Sequence, residues 1–199
     1  MSRYMEEQNQ EIKAETATKT TKESFWELVR FAILAILIVL PIRIFIAQPF
    51  IVSGASMYPT FHDSEYLIID EISYILGEPK RNDVVVFKYP KDTKKFFIKR
   101  IIGLPGETVD VNGEEVTITN KENKEGFKLD QSYVENKSNT TGHYVLEDDE
   151  YFVMGDNRSA SSDSRYWGPV KENLLVGRAL VRLLPISKID FMPGHYKEQ

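Results

Sequence analysis

No cysteine occurs among the 199 residues of this chain. Disulfides, thiol nucleophiles and thiolate metal sites are excluded together, and the redox compartment is left open. Histidine is nearly as scarce. His62, His143 and His195 are the only three, and they stand too far apart for the usual metal-ligand spacings. A site without metal or cofactor is therefore expected. Basic charge is also short, with 25 Lys and Arg against 30 Asp and Glu for a net charge of −5. That argues against nucleic acid as a partner, because phosphate binding needs a clustered basic surface. Internal repeats are missing, and past residue 50 so is any amphipathic helix of substantial length.

What the chain does have is one long apolar run. Phe31 to Ala47 reads FAILAILIVLPIRIFIA, interrupted only by Pro41 and Arg43. With the preceding FWELVR it is long enough to cross a hydrocarbon core of ~30 Å as a helix. Arg30 and Arg43 lie near its ends, where long side chains reach the headgroups, and Phe25 and Trp26 suit an interfacial belt. A cleaved signal peptide is the alternative, but its apolar core is shorter, ~7–15 residues. Arg3, Lys13, Lys19, Lys22 and Arg30 precede the run, whereas no Lys or Arg lies between Arg43 and Lys80. The positive-inside rule then sets the N-terminus in the cytoplasm. The expected order is a disordered cytoplasmic tail over 1–24, a transmembrane helix over 25–47 and an extracytoplasmic domain over 48–199. The tail is polar, with too little apolar surface to fold alone.

Beyond Gln48 short runs rich in Val, Ile and aromatics predict strands at 65–72, 83–89, 95–102, 107–111, 151–154 and 174–184. Asn112-Gly113, between two alternating runs, predicts a type I′ hairpin turn. Residues 120–142 are polar and turn-rich, and a small insertion is expected around 112–148. Sequons at Asn136, Asn139 and Asn157 matter only in a glycosylating host.

Three stretches carry chemical interest. VSGASMYPT (52–60) reads either as a flexible joint after the anchor or as the setting of a nucleophilic serine. Serine needs a base, and no histidine sits in a stretch resembling a site. KKFFIKRIIGLPGE (94–107) offers Lys99 instead. On a strand, Lys99 shares a face with Phe97 and Ile101, while Arg100 points the other way with Ile98 and Ile102. Such a lysine either snorkels at an edge or is buried, and burial lowers an ammonium pKa. GDNRSASSDSRYWG (155–168) brings together Asp156, Arg158, Asp163, Arg165 and several serines.

SMYPT (56–60), RNDVVVFKYP (81–90), KRIIGLPGE (99–107) and the 155–168 stretch resemble, in order and chemistry, the boxes of the type I bacterial signal peptidases. The single anchor and short insertion are more similar to the Gram-positive members. The resemblance implies a mostly β fold, an antiparallel β-sheet or coiled-barrel peptidase domain behind one transmembrane helix. It implies a membrane-bound serine endopeptidase that cleaves secretory preproteins after a small-x-small motif. Ser56 matches the nucleophile and Lys99 the general base. Ser161 matches the serine that orients the lysine, Asp163 and Arg165 an ion pair bracing the site, and Asp156 the partner of Arg100. Phe50, Val52, Val86, Phe97 and Ile98 fall where the family lines its pockets for small side chains. Two positions depart from the usual pattern. Gly54 stands where many members carry an oxyanion-binding serine, which leaves backbone N–H groups for that task. Asn82 stands where glycine is usual, and asparagine tolerates positive φ well. The rival reading is a non-catalytic paralogue that binds signal peptides.

Overall fold

A computed structural model describes residues 24–39 and 48–196. The expected tail, apart from its last residue, and residues 40–47 of the expected membrane segment lie outside the described residues. The chain divides into two compact units, one ending at Ile44 and the other starting at Phe45. In the first, residues 24–39 form helix α1. Its apolar side chains, Phe25, Trp26, Leu28, Phe31, Ile33 and Leu34 among them, are exposed. Among the described residues no helix is long and apolar enough to cross a membrane.

In the second unit strands are the main regular elements. In chain order come β1 (Gln48–Ile51), β2 (Tyr66–Asp70), α2 (Ile72–Leu76), β3 (Val84–Tyr89), β4 (Asp92–Gly103), β5 (Thr108–Asn112) and β6 (Glu115–Thr119). There follow β7 (Phe127–Lys128), β8 (Thr141–Val145), β9 (Glu150–Met154), α3 (Ser164–Trp167), β10 (Val170–Lys171), β11 (Leu175–Leu184) and β12 (Asp190–Phe191). One sheet runs β1-β2-β11-β3-β4-β9-β10, with β12 on β11; a second runs β7-β6-β5-β8. Every pairing is antiparallel.

β3 lies between β11 and β4, covered on both faces, and this is why Val84, Val85, Val86 and Phe87 are all buried rather than alternating. Ile102 of β4 and Phe152 and Met154 of β9 pack into a core with Val109, Val111, Val116 and Ile118 of the second sheet. The two sheets therefore share a core. A buried Arg81–Glu107 ion pair at 2.7 Å lies at the same junction.

The region expected as an insertion proves to be more than a loop: residues 108–145 carry all four strands of the second sheet. The hairpin turn falls one residue later than its sequence signal. Asn112 pairs with Glu115, so Gly113 and Glu114 make the turn, and only Gly113 has positive φ, at 61°. That is the type II′ pattern, and Asn112 remains in the strand. Asn82 does adopt positive φ, at 69°.

Candidate active site

Ser56 sits on a turn pinned from below. Its neighbour Met57 is 1% exposed and Phe61 0%, both in a core with Val52, Leu67, Val84, Val86 and Ala179. With the methionine buried, Ser56 is left half-buried at the surface of that core. Asp63 holds the approach to the turn, its Oδ1 accepting the Gly54 N–H at 2.7 Å. Gly54 has a φ of +87°, a conformation costly for a residue with a Cβ. The Ser56 N–H donates to no acceptor among the described residues.

Lys99 does not snorkel. It is 4% exposed, on β4 opposite Val85 of β3. Its Nζ lies 2.8 Å from Ser56 Oγ and 2.8 Å from the Ile98 carbonyl. The Phe97 ring centroid is 5.4 Å away. Burial pushes the lysine down to about 8, against the opposing pull of Asp163 and Asp156. A serine hydroxyl is thus in hydrogen-bond contact with an amine that deprotonates near neutrality. The hydroxyl donates when the lysine is a free amine, and the ammonium donates when it is not.

The 155–168 stretch packs behind this pair. Arg100 Nε and Nη2 bind Asp156 Oδ1 and Oδ2 at 2.9 and 2.6 Å, both side chains being buried. Arg165 forms the same two-pronged pair with Asp163, at 2.7 and 2.8 Å. Asp163 also accepts the Gly155 N–H at 3.0 Å and the Arg165 N–H that opens α3. Gly155 is needed for close approach, since a Cβ there would stand 2.3 Å from both the Ser161 hydroxyl and the Ser56 carbonyl. Ser161 is buried, but its Oγ has no hydrogen-bond partner, so no bond joins it to Lys99 in this structure. The second bond of Lys99 goes to its own strand, at Ile98.

A groove of about 530 Å³ opens over the serine. Phe50, Val52, Val86, Phe97 and Ile98 all line it, joined by Ile51, Leu67, Phe96 and the polar Ser53, Lys95 and Ser162. Two strand edges flank it. β1 stands at the end of the sheet, and β9 pairs with β4 only at Arg100, Ile101 and Gly103. The β4 edge before Arg100 therefore has no partner on the side away from β3 among the described residues.

Sequence reading missed Asn157, weighed only as a glycosylation site. It is 7% exposed, with its N–H on the Ser56 carbonyl at 3.1 Å and its Nδ2 on the Ala55 carbonyl at 3.0 Å. Thr60 was missed too; its Oγ1 donates to Asp156 Oδ2 at 2.5 Å. Position relative to Ser56 was the only available signal for Thr60. None of the histidines contacts Ser56 or Lys99. His62 lies edge-on to Tyr58, and His143 pairs with Asp110 on the second sheet.

Residues 25–184 match the family described as signal peptidase, peptidase S26. The probable signal peptidase I-2 of Synechocystis sp. is 38% identical over 91% of this chain and 84% of its own. Signal peptidase I of Bacillus amyloliquefaciens is 35% identical over 96% of this chain and 98% of its own. A signal peptidase I crystal structure from Enterococcus faecalis V583 is 31% identical, covering 51% of this chain and 96% of its own with a TM-score of 0.43. The chain belongs to the signal peptidase family, and it is a type I member: a serine endopeptidase that removes signal peptides.

Proposed function

We propose that Ser56 is the nucleophile and Lys99 the general base of this peptidase. The 2.8 Å contact between Ser56 Oγ and Lys99 Nζ carries the reading. In it, the free amine takes the serine proton as Oγ attacks the scissile carbonyl. The resulting ammonium protonates the leaving amine, and the same lysine then activates the water that releases the acyl group. The Ser56 N–H, unused by the protein, faces the developing oxyanion. Ser161, Asp163, Arg165, Arg100 and Asp156 hold the pair in place, with Ser161 orienting the lysine once substrate is bound.

The substrate is a secretory preprotein lying as an added strand between the two groove edges. Alternate residues of a strand face one side, so two small side chains one residue apart enter the apolar lining of Phe50, Val52, Val86, Phe97 and Ile98. A small-x-small cleavage motif follows. Residues 25–47 anchor the enzyme, with the N-terminus cytoplasmic and the peptidase unit on the outer face of the membrane.

The test is cleavage of a preprotein by the full chain, with the mass of the mature N-terminus giving the cut position. Ser56→Ala should leave the preprotein intact. Binding without cleavage by the unaltered chain would instead establish the non-catalytic paralogue. Protease added to intact protoplasts should digest the peptidase unit; its protection overturns the topology.

A further inference from the structure

The segment between β7 and β8 leaves the second sheet and reaches three arginines of the catalytic boxes. Gln131 Oε1 accepts from Arg158 Nη1. Ser138 and Thr140 accept from Arg165 Nη1 at 2.7 and 3.1 Å. Tyr133 meets Arg100, whose guanidinium carbon stands 4.1 Å from the ring centroid.

The Arg100 contact differs from the others. In its plane the Arg100 guanidinium is already committed, to Asp156 through Nε and Nη2 and to the Asn82 and Gly194 carbonyls through Nη1 at 2.9 and 2.6 Å. Its faces are left for packing, and a tyrosine ring attracts a guanidinium there, most strongly where water is excluded. The Tyr133 hydroxyl is buried toward Arg158 without a well-formed hydrogen bond, whereas the ring makes the contact with Arg100. Tyr133 is fixed in turn by Tyr196, whose ring lies 5.3 Å away and whose hydroxyl donates to Asp130 at 2.5 Å.

We propose that Tyr133 is a positioning residue of the catalytic site, its ring holding the Arg100 guanidinium against Asp156 directly behind Lys99. This rests on Lys99 being the general base. The charged groups behind that lysine are Asp156, Asp163, Arg100, Arg158 and Arg165, with Lys95 on the groove side. Both carboxylates favour the ammonium, and each is offset by a bound arginine. Freeing Arg100 exposes Lys99 to more of the Asp156 charge and returns it toward the ammonium. Tyr133 does not line the groove, so substrate binding is untouched.

The experiment is preprotein cleavage by the full chain in detergent from about pH 6 to about pH 10, giving kcat and KM separately. Tyr133→Phe should match the parent. Tyr133→Leu, without a π face, should lose roughly tenfold in kcat at neutral pH while KM stays within about twofold. The acid limb should move up by about one unit, since each unit is tenfold in free amine. An unmoved acid limb in Tyr133→Leu overturns the proposal, whatever happens to kcat. A ring-fluorinated phenylalanine at 133 keeps the volume and weakens the π face, and serves if Tyr133→Leu does not fold. It should shift the limb in the same direction, and a profile identical to Tyr133→Phe overturns the proposal. Ser56→Ala and Lys99→Arg run alongside separate the two readings, because activity in either one overturns the Ser56–Lys99 assignment itself.

Discussion

Asn157 holds Ser56 by the main chain, its N–H on the Ser56 carbonyl at 3.1 Å while its side-chain amide takes the Ala55 carbonyl at 3.0 Å. Two consecutive carbonyls of the serine turn are thereby tied to the 155–168 stretch. Asn157→Ala keeps the main-chain bond and removes the side-chain bond to Ala55, together with the weaker one that Asn157 Oδ1 accepts from the Ser159 hydroxyl at 3.2 Å. One hydrogen bond of about 1.4 kcal/mol corresponds to a roughly tenfold fall in kcat/KM. Cleavage kinetics checked against a thermal melt will show whether activity falls further than stability does.

Lys99→Arg should be inactive although charge and approximate length are kept, because a guanidinium does not give up its proton in a protein. His62→Ala, His143→Ala and His195→Ala should each cleave preprotein at the parent rate. Loss of activity in any one of them, with folding intact, would displace the lysine from its role.

The pH dependence follows from the lysine. Burial lowers Lys99 to about 8, so below that pH the ammonium dominates and cannot take the serine proton. The rate constant kcat/KM should rise with pH through a midpoint near 8, and fall tenfold per unit on the acid side. A midpoint near ~6.5, where an unperturbed histidine titrates, would point to another base.

The same burial costs stability while Lys99 is an ammonium. The ordinary lysine value is 10.5, and the folded one lies below it. The unfolded chain therefore binds the extra proton, and the cost of burying Lys99 is fully present below about pH 8. That cost fades as pH rises toward 10.5. Lys99→Met should be dead but more stable at neutral pH, by up to about 3 kcal/mol. Its advantage should shrink at alkaline pH, read by urea unfolding at several pH values.

Gly54 should resist substitution through its backbone. A Cβ there meets no atom within 4 Å, yet φ is +87°. Gly54→Ala should cost about 1–2 kcal/mol of strain in the serine turn. Gly54→Val should cost more and also raise KM, because Gly54 lines the groove. Steady-state kinetics of the two variants, compared with their melts, separates strain from obstruction.

How much of this could be read in the chain depended on whether the signal was local. The Val84–Phe87 run announced a strand, and Asn82 a residue tolerant of positive φ before it, because both are properties of a few adjacent side chains. Lys99 illustrates the limit. Its strand context favoured a snorkelling lysine at an edge, and its burial comes instead from Ser56, on a turn far off in sequence, and from the Phe97 ring beside its tip. Asn157 and Asp63 went unnoticed for a related reason. Their partners are carbonyl and amide groups of Ala55, Ser56 and Gly54, and backbone atoms leave no mark in a sequence. The second sheet reads as an insertion because its strands are short and its longest connection, between β7 and β8, is polar. That polarity reflects what the segment binds, three arginines, rather than exposure to water alone.

Lys99 and Arg100 are neighbours on one strand whose side chains leave on opposite sides, one toward Ser56 and the other toward Asp156. A one-residue slip of β4 against β3 would exchange the two faces, aiming the guanidinium at the serine and the amine at the carboxylate. Such a chain has no proton acceptor beside its serine. On the proposed Ser56–Lys99 assignment, competence to cut is therefore acquired only with correct strand register, when the central sheet has closed.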